Sequence, residues 1–291
     1  MRLLLLILTN LAVTVLLGAV FLGLQIAGVL PEGQWGVLFV SSVVFGFGGS
    51  FVSLLLSKPM AKWSLGVHVI EQPRNELEHF LLTTVQQQAQ RAGIAMPEVG
   101  IYDSADPNAF ATGWSRDSAL VAVSTGLVDA MRPEQVAAVL GHEVAHAANG
   151  DMVTLTLLQG VLNTFVLFAS RVIGFAIDSA LSRGERERRG GGLVYGLVVM
   201  VAQVALGLVA SLIVAWFSRQ REFRADEGGA HLTSPHAMAG ALDALRRAEG
   251  DADLPKSMAA FGIHGGGFLR LFASHPPLEE RIARLMGQAP R

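Results

Sequence analysis

The sequence contains no cysteine and few charged residues. Without cysteine the 291-residue chain can form no disulfide and offers no thiolate to a metal, so any metal site must use histidine and carboxylate ligands. Charged residues make up 16% of the chain, whereas a soluble protein has about 25%. The net charge of −2 argues against a nucleic-acid-binding surface. These deficits leave membrane proteins as the favoured class.

The missing charge is concentrated in four long apolar runs. Hydrophobic residues make up 51% of the chain, and a helix needs about 20 apolar residues to span a bilayer. The first run is longer than the apolar core of a signal peptide and no small-residue cleavage site follows it, so we interpret it as a retained helix. The four runs, each predicted to be a transmembrane helix, occupy residues 3–30, 35–56, 152–170 and 193–217.

Basic residues around these runs predict their orientation. Arg2 precedes the first run, Lys58 and Lys62 follow the second, and the turn at 31–34 has neither Lys nor Arg, so the positive-inside rule places both ends of this hairpin in the cytoplasm. The connector at 182–192 carries four arginines, which opposes the rule if the last two runs both span. We favour spanning, and the alternative is a hairpin buried in protein or lying at the membrane surface.

The most informative motif is His142-Glu143-Val144-Ala145-His146, an H-E-x-x-H sequence. On a helix the two histidines lie one turn apart on the same face and can bind one metal ion, while Glu143 can touch a water on that ion. A helix is expected here because Pro133 marks its start and Gly150 its end. The arrangement is typical of a zinc-dependent peptide hydrolase. The alternative is two surface histidines on an ordinary helix.

A catalytic zinc needs a third protein ligand, for which Glu222 is the candidate. Asp226 lies one helical turn later and could accept the ring N–H of His142 or His146. From spacing alone, it is equally possible that both acids only pair with neighbouring arginines at the bilayer surface.

Several segments resemble the HtpX family of bacterial membrane zinc metalloproteases, which are relatives of the CAAX prenyl proteases. The resemblance implies one zinc ion per chain bound by His142, His146 and Glu222, with Glu143 catalytic and Asp226 as the acid that follows the third ligand. The matching segments are Asn108 to Gly113, Val123 to Leu127, Gly141 to His146 with Asn149 to Asp151, Arg221 to Asp226, and Ser274 to Pro277.

The fold expected from pattern and resemblance is α+β and mainly helical, with a zincin-like metalloprotease domain and four hydrophobic helices. We predict an N-terminal transmembrane hairpin (1–57), a first catalytic part with the H-E-x-x-H helix (58–151), a second hydrophobic hairpin (152–217) and a second catalytic part with the third ligand (218–291). Expected elements are a helix capped by Asn75 and Glu78 that ends near Gly93, strands at 99–102 and 120–124, helices at 218–230, at 235–249 and from Pro277, and a connecting glycine loop at 262–267.

The leading functional hypothesis is a zinc endopeptidase that cleaves membrane proteins or their cytoplasmic segments. The resemblance implies a place in the bacterial inner membrane, with the catalytic domain facing the cytoplasm, and a role in membrane-protein quality control or stress response. The partners expected are protein substrates and the lipid bilayer, without nucleic acid. The alternatives are a non-enzymatic zinc-stabilised scaffold and a narrow-specificity enzyme like a prenyl protease.

Three further residues have open roles. Asn108 could contact substrate backbone, because the 108–124 region is the expected sheet edge for an extended peptide, or it could simply form a turn. His275 and Arg281 could donate hydrogen bonds to a developing oxyanion. For His275 a turn position before two prolines is an equal alternative, and Arg281 could pair with another residue.

Overall fold

The computed structural model describes residues 35–181, 192–251 and 274–287, together with Ile26. The first apolar run apart from Ile26, most of the 182–192 connector and the 262–267 glycine loop lie outside the described residues. In the described part the chain is mainly helical with one small sheet. The elements in chain order are α1 (Trp35–Ser64), β1 (His68–Val69), α2 (Glu76–Ala92), β2 (Glu98–Tyr102), β3 (Ala109–Gly113), β4 (Ala119–Ser124), α3 (Thr125–Ala130), α4 (Pro133–Asn149), α5 (Asp151–Leu181), α6 (Leu193–Leu232), α7 (Pro235–Asp251) and α8 (Leu278–Leu285).

The chain divides into two compact units, each built from two separate stretches of sequence. The first unit comprises Met1–Ser53 and Thr154–Val214, and the second comprises Leu54–Val153 and Ala215–Arg291. The second unit contains the sheet and the H-E-x-x-H helix.

Among the described residues, three helices are long and apolar enough to cross a membrane, namely α1, α5 and α6. They coincide with the second, third and fourth apolar runs, and each extends beyond its run. The prediction of a separate helix at 218–230 is wrong, because α6 continues from Leu193 to Leu232 without a break. No glycine or proline interrupts the chain between Phe217 and Glu227, so nothing ends the helix where the charges begin.

The second unit contains a four-stranded mixed sheet with the order β1-β2-β4-β3. Strands β2 and β4 are parallel, whereas β1–β2 and β3–β4 are antiparallel. The central strand β4 is buried along its whole length, as its apolar sequence requires. Strand β3 lies at an edge, as predicted, but the rest of the predicted edge region at 108–124 does not, because β4 lies between β2 and β3. The predicted strands at 99–102 and 120–124 are confirmed with one extra residue each.

Helices α2 and α4 begin and end where the sequence predicts. Asn75 caps α2 by accepting a hydrogen bond of 2.8 Å from the Glu78 amide, and Gly93 ends it in the left-handed conformation at φ 66°. Gly150 ends α4 in the same way at φ 69°. Helix α4 packs into the core of the unit through Leu140 and Val144. The core also contains buried side chains from α2, β4 and α7, including Leu81, Val121 and Leu242.

Candidate metal centre

Helix α4 presents His142 and His146 side by side within the second unit. The two residues are one turn apart, and their ring centroids are 4.6 Å apart. Both rings direct Nε2 to the same point, with 3.1 Å between the two nitrogens. His142 and Glu143 are buried because the surrounding turns of α4 form part of the core. The helix therefore fixes two imidazoles rigidly for one common ligand.

Glu222 on α6 supplies a carboxylate at the same point. One carboxylate oxygen lies 3.5 Å from Nε2 of His142 and the other 3.4 Å from Nε2 of His146. The four bonds of a tetrahedral zinc site are about 2.0–2.1 Å long, which places neighbouring ligand atoms about 3.3 Å apart. The separations of 3.1, 3.5 and 3.4 Å, of which the last two involve different oxygens of Glu222, are close to this spacing, so the three side chains can share one ion. Among the described residues this is the group able to hold a metal.

The buried polar atoms of the site point to a cation as well. Glu222 is 2% exposed, and its Oε2 atom has no partner in good hydrogen-bond geometry. Nitrogens of His142, His275 and Arg281 lie 3.5, 3.0 and 3.4 Å from this oxygen, but none of them is well aligned as a donor. A bound metal would satisfy the oxygen directly. The donor set, with two imidazoles and one carboxylate, matches the chemistry that zinc prefers in catalytic sites.

Two glycines allow α6 to approach α4 this closely. A Cβ atom on Gly228 would lie 2.5 Å from Cβ of Ala145, and one on Gly229 would lie 3.0 Å from the backbone nitrogen of His142. Real Cβ atoms essentially never come within 3.0 Å of another atom, so the first contact leaves no room for a side chain. The helix crossing at these glycines, six and seven residues after Glu222, therefore brings that carboxylate to the two histidines.

Each histidine also has a carboxylate at its other ring nitrogen. Nδ1 of His146 lies 2.7 Å from Oδ2 of Asp151 in a hydrogen bond. Nδ1 of His142 lies 3.0 Å from Oδ1 of Asp226, but off the line of a good hydrogen bond. When Nδ1 carries the proton, Nε2 keeps its lone pair for a metal. The sequence did not show which of the two histidines contacts Asp226. In the structure that histidine is His142.

Arg281 lies behind this network in α8. Its Nε and Nη2 atoms donate to the two oxygens of Asp226 at 2.8 and 2.6 Å, and its Nη1 atom is 3.4 Å from Oε2 of Glu222. The residue is 6% exposed. Arg281 therefore contacts two acids of the site, Asp226 and Glu222. Its hydrogen-bond partner, which the sequence did not identify, is Asp226. His275 is also near, with Nδ1 3.0 Å from Oε2 of Glu222 and a side chain that is 65% exposed.

The acids make the site favourable for positive charge. Burial alone would lower the pKa of His146, but its contacts with Asp151 and Glu222 raise that pKa to about 10. Burial likewise opposes protonation of His142, and Asp226 together with Glu222 raises its pKa above the usual value. Both shifts have the same cause, since the surrounding carboxylates stabilise a cation at the imidazoles. A metal ion satisfies the same demand.

Glu143 directly follows His142 on α4 and is close enough to Tyr102 to act on it electrostatically. Burial raises the pKa of the Tyr102 phenol, at the end of β2, and the negative charge of Glu143 contributes to the increase. The Tyr102 ring packs at 5.7 Å from the ring of Phe110 on edge strand β3. Among the described residues Glu143 takes part in no ion pair.

The structure thus brings His142, His146, Glu222 and Asp226 together, and Glu143 follows His142 on the same helix. Sequence reasoning missed Asp151 as a partner of His146. A signal was present, because a glycine that ends a helix and is directly followed by an acid can return that acid to the last turn. Arg281 gave no comparable signal, since it lies 55 residues from Asp226.

Comparison with known proteins identifies relatives along nearly the whole chain. The family model for peptidase family M48 matches residues 76–289. A protease HtpX from Thioalkalivibrio sulfidiphilus is 54% identical over 291 residues, covering 98% of each chain. A protease HtpX from Xanthomonas campestris pv. campestris is 55% identical over 287 residues, covering 98% of this chain and 96% of the relative.

A solved structure has the same fold. The crystal structure of S. mikatae Ste24p superimposes with a TM-score of 0.60 at 17% sequence identity, covering 96% of this chain and 66% of that chain. The chain therefore spans slightly less than two thirds of the length of Ste24p. At this identity the likeness concerns the fold alone.

Proposed function

The chain belongs to peptidase family M48 and is a membrane-bound metalloendopeptidase similar to the HtpX proteases, and on this basis we propose that it uses zinc to cleave membrane proteins or their cytoplasmic segments. The observation that carries the proposal is the convergence of two imidazole nitrogens from α4 and the Glu222 carboxylate from α6, with 3.1 Å between the nitrogens and 3.5 and 3.4 Å from them to the two carboxylate oxygens. Membership of a peptidase family disfavours the alternative of a non-enzymatic scaffold.

In this proposal His142, His146 and Glu222 hold one zinc ion through Nε2, Nε2 and a carboxylate oxygen. When bound, zinc supplies Lewis-acid chemistry, since it polarises a carbonyl and acidifies water. Three protein ligands leave a position open for chemistry, as catalytic zinc sites require. Asp226 holds the ring of His142, and Arg281 keeps Asp226 ionised and in place through two hydrogen bonds.

Glu143 acts as the general base and then as the general acid. Its carboxylate takes a proton from the attacking water and passes that proton to the nitrogen of the leaving amine, so the peptide bond is replaced by an acid and an amine. Support comes from its place directly after His142, its 9% exposure and the lack of an ion pair among the described residues. Such a carboxylate is positioned by the helix without being neutralised.

The substrate binds in extended form along strand β3. The strand is at the edge of the sheet, so an added peptide can form main-chain hydrogen bonds with it. Asn108 directly precedes this strand, and its backbone is held by Ser124, whose hydroxyl accepts from the Asn108 amide at 2.9 Å. With its backbone fixed in this way, the Asn108 side chain can contact the substrate backbone.

Cleavage takes place close to the membrane, on its cytoplasmic side. Along the chain, His146 lies six residues before the third apolar run and Glu222 lies five residues after the fourth. At about 1.5 Å per helical residue these intervals are about 10 Å or less. Helix α6 includes both the fourth run and Glu222. Membrane proteins are therefore better substrates than soluble ones, in agreement with a role in membrane-protein quality control or stress response in the inner membrane.

Replacement of Glu143 by glutamine tests this function. The zinc-loaded, detergent-purified chain is mixed with a single-span reporter protein that carries an unfolded cytoplasmic tail. We expect the wild type to cleave the tail, and Glu143→Gln to cleave about 10²–10⁴-fold more slowly while it retains zinc. Glu134→Gln is the matched control, because Glu134 lies in the exposed first turn of the same helix. Equal cleavage by Glu143→Gln would remove the proposed base, and no cleavage by either protein would contradict the proposed substrate class.

A further inference from the structure

Asp151 contacts one side of the metal centre and belongs to neither the motif nor the ligand set. It is the first residue of α5, it is 2% exposed, and its Oδ2 atom lies 2.7 Å from Nδ1 of His146. Given the proposed zinc site, we propose that Asp151 positions the ring of His146 for metal binding. We also propose that Arg221 holds Asp151 against α6, the helix that carries Glu222.

The contact depends on the break between α4 and α5. Residue i+5 of a continuous helix is rotated by about 140° from residue i, so it cannot meet the side chain of residue i. Gly150 adopts φ 69° and ends α4, and α5 begins directly with Asp151. The change of direction at Gly150 returns the carboxylate to the last turn of α4. Asp151 is thus placed by backbone geometry that a continuous helix would not provide.

Arg221 holds the backbone of the same residue. Its Nη1 atom donates to the carbonyl oxygen of Asp151 at 3.1 Å, and its Nη2 atom donates to the Ser218 hydroxyl at 3.1 Å. Arg221 directly precedes Glu222 on α6. Asp151 is therefore held at two points. Its side chain contacts the proposed ligand His146, and its backbone carbonyl contacts Arg221, which directly precedes the proposed ligand Glu222. This arrangement links His146 to the helix of Glu222 without passing through the metal.

Asp151 serves its histidine more directly than Asp226 does. Asp226 shares its two oxygens with Arg281 at 2.8 and 2.6 Å, and its contact with His142 is off line. Within the described residues, the ion-pair partner of the Asp151 carboxylate is His146. Its charge is therefore not divided with an arginine. Removal of this charge should act on His146 and its metal bond rather than on a wider ion-pair network.

The test is the zinc affinity of Asp151→Asn, measured on the full-length chain in detergent by competition with a chromophoric chelator. Asparagine keeps the shape and an acceptor oxygen but loses the charge. We expect the zinc dissociation constant to rise about 10–100-fold, as for other partners of metal-binding histidines. Asp243→Asn is the matched control, since Asp243 forms exposed pairs with Arg246 and Arg247, and its zinc affinity should equal that of the wild type.

A second measurement separates positioning from folding. The increase in melting temperature produced by added zinc should be smaller in Asp151→Asn than in the wild type, each measured against its own chelated form. Unchanged zinc affinity would overturn the proposal, and so would a zinc-induced increase equal to that of the wild type, because the role of Asp151 would then be structural. Should Asp151→Asn not fold, Arg221→Lys is measured in the same way, and full zinc affinity in that variant would also overturn the proposal.

The His146→Ala variant distinguishes a failure of the proposed role of Asp151 from a failure of the proposed zinc site. If His146→Ala binds zinc like the wild type, the proposed metal site itself is wrong. If His146→Ala loses zinc while Asp151→Asn retains full affinity, only the role of Asp151 is wrong.

Discussion

At the residue scale, the centre depends on pairs in which a buried carboxylate holds another side chain in place. The sequence revealed only which residues share a helix face, because a spacing of four residues places His142 with His146 and Glu222 with Asp226 on common faces. It could not reveal Arg281 as the partner of Asp226, since that contact joins α6 to α8 and depends on the tertiary fold. Pairs of this kind are found only when the helices are seen packed.

The Arg281–Asp226 pair gives a prediction about stability. Arg281→Met leaves the buried Asp226 carboxylate without its two donors, so we expect a loss of about 3–5 kcal/mol in the free energy of unfolding. The measurement is thermal unfolding of the chelated protein in detergent. Arg284→Met is the control, because Arg284 forms an exposed pair with Glu227 at 3.3 Å, and it should cost about 1 kcal/mol. A smaller loss for Arg281→Met than for the control would contradict this account.

At the element scale, the position of α6 against α4 decides whether Glu222 reaches the histidines. The sequence predicted α4 well because Pro133 and Gly150 mark its ends, and it predicted an apolar helix over the fourth run. It did not predict that this helix continues through Glu222 to Leu232. The sequence becomes rich in charged residues after Ser218, but the helix propensity of these residues stays high. Composition alone therefore suggested a helix boundary at Ser218 that the structure does not have.

Gly228 tests the helix crossing directly. A methyl group there would lie 2.5 Å from Cβ of Ala145, so Gly228→Ala must push α6 away from α4. We expect weaker zinc binding and a lower melting temperature, even though alanine favours a helix by about 1 kcal/mol over glycine. Gly207→Ala lies on the same helix with nothing within 4 Å of the new Cβ, and it should leave zinc affinity unchanged. Wild-type zinc affinity in Gly228→Ala would show that the close crossing is not required.

At the scale of the whole molecule, the second unit is assembled from two stretches separated by an apolar hairpin. Leu54–Val153 supplies the histidines and Ala215–Arg291 supplies Glu222. The apolar runs and the lack of charge predicted a membrane protein from composition alone, and three described helices are long and apolar enough to span. The composition could not say which residues of the two stretches meet, because that depends on how the stretches pack together.

If α5 and α6 both cross the bilayer, both stretches lie on the same side. The chain has no cysteine, so single cysteines can be introduced without a background. A cysteine at the exposed position 129 and one at the exposed position 279 should react with a membrane-impermeant maleimide from the same face of sealed vesicles. A cysteine in the 182–192 connector should react from the opposite face. Labelling of positions 129 and 279 from different faces would contradict the even number of crossings between them.

The most direct measurement is the zinc affinity of Glu222→Gln in the full-length, detergent-purified chain. Glu227→Gln is the matched control, because Glu227 lies on the same helix but is exposed and pairs with Arg284. We predict that the wild type and Glu227→Gln each bind one zinc ion per chain with equal affinity, and that Glu222→Gln binds it far more weakly. Zinc affinity in Glu222→Gln equal to that of the control would contradict a metal centre shared between α4 and α6.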